Sequence, residues 1–208
     1  MGAIRRGIAY TQRRALHSSP FRIRANGCRP DRFLPRGHLQ RDIVLDTTAE
    51  REIVDITEHV QEIIESAAAE HEHADGGIVT VTSQHTTCAV IVNENEHFLK
   101  GDILEYLNTA VPSDATKYRH NDLQARPATA RDRAAIEKNN CGGFGSVEAF
   151  MEQEPINAHA HIQAILCGNS VTFGVKDARL SLGQWQSCLF VDLDGPRVGR
   201  RATVTYVW

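Results

Sequence analysis

The sequence has no Cys-x-x-Cys pair, and its five cysteines (28, 88, 141, 167 and 188) form an odd, scattered set. That excludes a disulfide framework and a structural zinc knuckle, and it implies a reducing compartment. Cys88, Cys167 and Cys188 stand in apolar surroundings and read as small buried hydrophobes. No stretch approaches the length needed to span a membrane, and no compact apolar core follows the first basic residues. A secretory signal is therefore not expected, and a soluble protein is. Internal repeats are missing too. Acids are nearly absent from the start: residues 1–41 hold ten arginines and only Asp31, a net of +9, so the remainder carries −12 of the total of −3.

What the basic start does contain, Arg13-Arg14-Ala15-Leu16-His17-Ser18-Ser19-Pro20, fits an organellar transit peptide better than a nucleic-acid arm, with a disordered segment as the alternative. Residues 1–36 are accordingly set apart from the fold. The expected location is the mitochondrion or another organelle matrix if the segment is a transit peptide, and the cytoplasm otherwise. Neither nucleic acid nor membrane is expected as a partner. The rest of the 208 residues suits a single core.

Leu39, Ile43 and Leu45 suggest a first strand beginning near His38, and Ile53–Ile56 a second. Thr57 is placed to cap a helix over 58–72 whose apolar face is Val60, Ile63, Ile64 and Ala67. Ile78–Thr82 and the apolar run 88–92 predict two strands, the second more deeply buried. Leu99, Ile103, Leu107 and Val111 mark a helix ended by Pro112. Residues 120–156 read as a long loop or insertion with a short helix at 146–153. A helix through Ile162, Ile165 and Leu166, ended by Gly168, precedes strands at about 170–175, 178–182, 186–193 and 202–207. Strands with helices segregated between them predict an α+β domain.

The chemistry concentrates at the ends of these elements. Gln84-His85-Thr86-Thr87 and Asn93-Glu94-Asn95 flank the buried run 88–92, and His120, His159 and His161 stand in polar, turn-adjacent positions. Neutral imidazole is the commonest nitrogen ligand for zinc, yet no spacing here matches a standard zinc signature. In a strand His159 and His161 would face one way; in a helix they diverge by about 200°, and the pattern after them favours a helix, with His161 serving the site. Glu94 could act as a base or a metal ligand, Asn93 and Asn95 could orient a substrate, and Arg179 and Arg197 could clamp a phosphate. Asp102 and Asp122 are weaker carboxylate candidates.

Together with Val111-Pro112, Tyr118-Arg119-His120-Asn121-Asp122, Asn157-Ala158-His159-Ala160-His161, Leu182-Gly183-Gln184-Trp185-Gln186 and Asp194-Gly195-Pro196-Arg197, these motifs occur in the order seen in the YjbQ-like family, which the chain resembles over about residues 38–208. The resemblance implies a single α+β domain built round a mixed, strongly curved sheet, sandwich- or barrel-like, with helices packed on it and with an inserted loop at about 125–155. It also implies a homotrimer and a secondary thiamine-phosphate-synthase activity joining hydroxymethylpyrimidine diphosphate to a thiazole phosphate. His85, His120 and His161 are then a metal or acid/base cluster, with Glu94 a ligand or base. Asn93, Asn95, Thr86, Arg197 and Trp185 would meet the substrate. A divalent metal, Mg²⁺ or Zn²⁺, would screen a diphosphate from a body of net charge −12. The sequence departs from the commoner family pattern at Glu96-His97-Phe98, where many members have Ala-Asp-Pro, and at His159, where many have Asp. The alternatives are a metal-dependent hydrolase of a phosphorylated or damaged metabolite, and a non-catalytic trimeric metal- or metabolite-binding module.

Overall fold

Side chains alternate across a strand, so a strand buried on both faces feeds two cores at once. The run Ser187–Asp192 does this: Cys188 and Phe190 enter one core while Leu189 and Val191 enter another. In the computed structural model of this chain, residues 37–208 are described; the expected transit segment and the nearby Cys28 lie outside them. The strands are β1 (His38–Leu45), β2 (Glu52–Asp55), β3 (Gly77–Ser83), β4 (Cys88–Asn93), β5 (Ser170–Lys176), β6 (Arg179–Leu180), β7 (Ser187–Asp192) and β8 (Arg200–Val207). The helices are α1 (Thr57–Glu70), α2 (His97–Ala110), α3 (Ala130–Lys138), α4 (Val147–Gln153) and α5 (Ala158–Cys167).

A curled five-stranded sheet runs β1-β8-β3-β5-β6, and a three-stranded sheet runs β2-β7-β4. Every pairing among the described strands is antiparallel, where a mixed sheet was expected; the strong curvature is present. The first core lies between the sheets and under α1, where Val60, Ile64 and Ala67 meet Val79, Val90, Phe190 and Tyr206. The second lies on the far side of the smaller sheet, where α2 (Leu107) and α5 (Ala160, Ala164) cover Ala89, Leu189 and Val191. The fold is thus α+β, with one end of β4 and β7 presented to α5.

Local chemistry explains where these elements start. Glu96 accepts hydrogen bonds from the Phe98 and Leu99 amides at 2.9 and 2.7 Å and so caps α2. Thr57 does not cap α1 as expected. Its hydroxyl instead donates to Asp55 and accepts from the Cys188 amide, tying the helix start to β2 and β7, and Ile56 stands at the cap without a side-chain bond. The thiols of Cys88 and Cys188 are pushed up to about 12, chiefly by burial, as fits core hydrophobes.

A Cβ added at Gly77 would collide with the carbonyl oxygen of Val207, a backbone atom of the paired strand. Gly77→Ala should therefore cost about 1–3 kcal/mol, as forced overpacking does. Urea unfolding checks this, and an unchanged midpoint would mean that the two strands part without penalty.

The segment expected as a long loop is more ordered than its composition suggests. Its helix α4 matches the short helix expected at 146–153, but α3 was not legible. It buries no residue and so carries no apolar stripe; a capping box between Thr129 and Asp132 starts it instead. Cys141, Val147 and Met151, with Leu123, Ile136 and Phe150, give the segment a small core of its own.

Candidate functional site

The turn 84–87 leaves β3 and enters β4, and it is stitched to β8. Gln84 donates its amide to the Arg201 carbonyl at 3.1 Å, and Arg201 donates its amide to His85 Nε2 at 2.9 Å. An imidazole nitrogen that accepts a backbone N–H must be unprotonated, so His85 is neutral and carries its proton on Nδ1. Burial and the charge of Arg200 hold its pKa below the usual histidine range.

Opposite this turn stands α5. Asn157 precedes it, and His161 comes one turn in, on the side that faces Thr86 across the cleft. Between them is a cleft of about 560 Å³ lined by Ser83, Gln84, His85 and Thr86 on one side and by His161 and Ile165 on the other. The helical form of 158–167 separates His159 from His161 as expected: His159 is buried, with Nδ1 lacking a hydrogen-bond partner, and is absent from the cleft lining.

His120 comes from the short turn Arg119–Asn121 and meets His161 edge-on, with ring centroids 4.9 Å apart. Glu154 Oε1 stands 4.0 Å from His120 Nε2, too far for a hydrogen bond, while Arg126 pairs with Glu154 at 2.9 Å and donates to the His120 carbonyl at 3.0 Å. Burial, then the charge of Arg126 and the proximity of His161, depresses the pKa of His120; burial, with a smaller push from Arg126, depresses that of His161 against the pull of Asp194.

Behind the turn lies a buried ion pair. Arg200 Nε and Nη2 grip Asp192 at 2.9 and 2.8 Å, and Thr47 adds a hydroxyl bond at 2.6 Å. Burial by itself would raise the Asp192 carboxyl, but these donors hold it below the ordinary carboxylate range. Arg200 also reaches Thr87 at 3.4 Å and the Asp194 carbonyl at 3.2 Å, fixing both ends of the site.

The other expected residues lie elsewhere. Asn93 closes the far end of β4, a strand whose six residues span about 17 Å, and Glu94 and Asn95 follow it. There Asn95 bonds Asp55 and Lys100, and Trp185, 67% exposed, precedes the β7 residue that pairs with Asn93. Arg197 is held by Asp194 at 3.2 Å and does not line the cleft. Asp122 accepts the Ala125 amide within a turn, Asp102 sits on an exposed part of α2, and Arg179 begins the edge strand β6. Arg126, Glu154, Asp192 and Arg200 went unnoticed in the sequence because each is defined by a partner distant along the chain or by burial, neither of which spacing reveals.

Among the described residues no three His, Cys, Asp or Glu side chains are placed to hold a metal ion. His85 adds a reason, since its Nε2 lone pair is already used by Arg201. The expected His85, His120 and His161 set does not therefore fit Mg²⁺ or Zn²⁺ within one chain. Also among the described residues, no helix is long and apolar enough to cross a membrane.

Depressed histidine pKa values make stability depend on pH with a definite sign. His85, His120 and His161 bind protons less readily folded than unfolded, so their contribution is complete above about 6.5 and is lost as pH falls through the lower folded values. Thermal melts should show a midpoint falling between pH 7.5 and pH 5, with a shallower fall in His120→Asn. An identical slope in that variant would remove His120 from the account.

Comparison with known proteins gives a consistent result. The family model described as UPF0047 protein YjbQ-like matches residues 41–208. A UPF0047 protein of Archaeoglobus fulgidus is 33% identical over 159 residues, covering 76% of this chain and 94% of its own length. Another, from Methanothermobacter thermautotrophicus, is 34% identical over 165 residues, covering 79% and 89%. Among solved structures, a protein from Aeropyrum pernix aligns with a TM-score of 0.60 at 27% identity, covering 81% of this chain and 97% of that one. One from Sulfolobus solfataricus, described as of unknown function, aligns with a TM-score of 0.59 at 27% identity, covering 82% and 97%. On the match over residues 41–208, this chain belongs to the YjbQ/UPF0047 family.

Proposed function

We propose that this protein is an enzyme acting on small phosphorylated metabolites, with His161 and His120 as its proton-handling pair, and that its reaction is the thiamine-phosphate-synthase-like transfer. The observation that carries the reading is the edge-on contact of His161 with His120 beside the cleft that His85 also lines. In the transfer, the thiazole nitrogen forms a bond to the methylene carbon of the pyrimidine as the carbon–oxygen bond to diphosphate breaks, and the electron pair leaves with diphosphate. Neutral imidazole N–H groups would donate hydrogen bonds to the departing oxygens, and the cleft would hold the two partners in line.

A hydrolase reading is favoured by a different observation. Arg126, Arg197, Arg200 and Arg201 each face a carboxylate (Glu154, Asp194, Asp192 and Asp42), which leaves little free positive charge for a diphosphate in a single chain. A histidine kept neutral is ready to take a proton from water. Purified protein incubated with each substrate alone and with both decides between these. Product that requires both partners supports the transferase; loss of one substrate in water alone supports the hydrolase; no turnover of either rejects both.

We further propose that the working unit is a homotrimer. The reading is supported by the separation of the two motif groups along β4, because a head-to-tail ring can bring the Glu94 end of one copy to the His161 end of the next. Mixing inactive His161→Ala and Glu94→Ala proteins, after dissociation and reassembly, should restore part of the activity. A sedimenting monomer, or no recovery, counts against it.

A further inference from the structure

The inserted segment makes a second pocket on the other side of the histidine pair. Its volume is about 390 Å³, and its lining is His120, Arg126, Pro127, Ala128, Asp132, Ala135 and Ile136. The open cleft reaches His161, this pocket reaches His120, and the two rings touch at 4.9 Å. The pair therefore forms the wall between two cavities, and only the first was anticipated by the motifs.

The chemistry of the lining narrows what can enter. Arg126 is the pocket's cation, but Glu154 neutralises it in an ion pair of 2.9 Å and the His120 carbonyl accepts a hydrogen bond from it at 3.0 Å. A phosphate would have to compete with that carboxylate, so the pocket does not seek anions. Asp132 is occupied in the α3 capping box with Thr129. What remains is a guanidinium plane locked in place, an imidazole 36% exposed, and an apolar wall of Pro127, Ala128, Ala135 and Ile136. A planar guanidinium and an imidazole are stacking surfaces for a flat ring. His120 Nε2 makes no well-formed hydrogen bond, and the Asn157 side chain stands beside its ring.

We propose that the pocket under the inserted segment is a second ligand subsite, that it takes a neutral, planar nitrogen heterocycle stacked against Arg126 and His120, and that the His120–His161 pair thereby stands between two bound molecules. The insertion then builds half of a two-substrate site. Its catalytic meaning rests on the transferase reading above, but its occupancy does not.

The test is binding without turnover, on the full chain. Histidine-ring and isoleucine-methyl NMR signals are followed while 4-amino-5-hydroxymethyl-2-methylpyrimidine, which carries no phosphate, is titrated in. The expected result is a saturable shift at His120 and Ile136. Ala128→Trp, at an exposed position, and Ile136→Trp, at a half-buried one, should each weaken binding at least tenfold, while Ile165→Trp in the open cleft leaves it within twofold. The proposal is overturned if no saturable shift occurs, or if binding survives both pocket substitutions and is lost in Ile165→Trp. Ring binding under the insertion without any coupling reaction supports the subsite and removes the synthase reading. Coupling with the ring bound in the open cleft does the reverse.

Discussion

Asp192→Ala should destabilise the folded chain by about 3–5 kcal/mol, because it leaves the buried Arg200 guanidinium without its counter-charge. For a domain of this size that lowers the melting temperature by roughly 6–20 °C. Both side chains are almost fully enclosed, at 0% and 8% exposure, so water cannot replace the lost partner. The loss is larger than removal of one hydrogen bond would give, since Asp192 also accepts from Thr47 and from the Asp194 amide. Replacing both charges with apolar groups, in Asp192→Leu/Arg200→Met, removes the stranded charge and should recover at least half of the deficit. Urea unfolding of the two variants measures this. If the single substitution costs less than about 1 kcal/mol, the pair is only a solvated contact and does not anchor the site.

His161→Ala should reduce turnover by about 10²–10⁴ while leaving stability within about 1 kcal/mol of the parent, because proton handling is worth that much and His161 is only half-buried. The paired control is His161→Gln, which keeps a hydrogen-bond donor but cannot transfer a proton. Restoration by glutamine would mean that the ring merely positions the Thr86 turn. A loss in both variants, with KM changed less than kcat, assigns proton transfer or leaving-group stabilisation to the ring. Unaltered turnover in His161→Ala would remove the histidine pair from the chemistry.

Much of the framework was legible because its signals are local. The alternation at 78–82, the apolar run at 88–92 and the four-residue spacing from Leu99 to Val111 depend only on near neighbours, and β3, β4 and α2 lie where they predict. The helical start at 158 likewise settled which of His159 and His161 could join the cleft. What misled was adjacency in sequence. Asn93-Glu94-Asn95 follows Gln84-His85-Thr86-Thr87 so closely that one pocket wall is the natural reading, but an extended strand between them carries the second group about 17 Å away. Helix α3 escaped notice for the opposite reason, since a helix that buries nothing leaves no periodic trace.

The sequence by itself determined the types of the periodic elements, the α+β class and the family, because periodicity and ordered motifs are properties of the chain alone. Only the tertiary structure decided which polar groups share a site. It set His120 against His161, placed Arg126 and Glu154 beside them, and neutralised the nearby arginines with carboxylates that no sequence spacing pairs with them. The physical reason is that charge pairing, desolvation and ring contact depend on distance in space, which the chain sets only when its strands and helices close around their two cores.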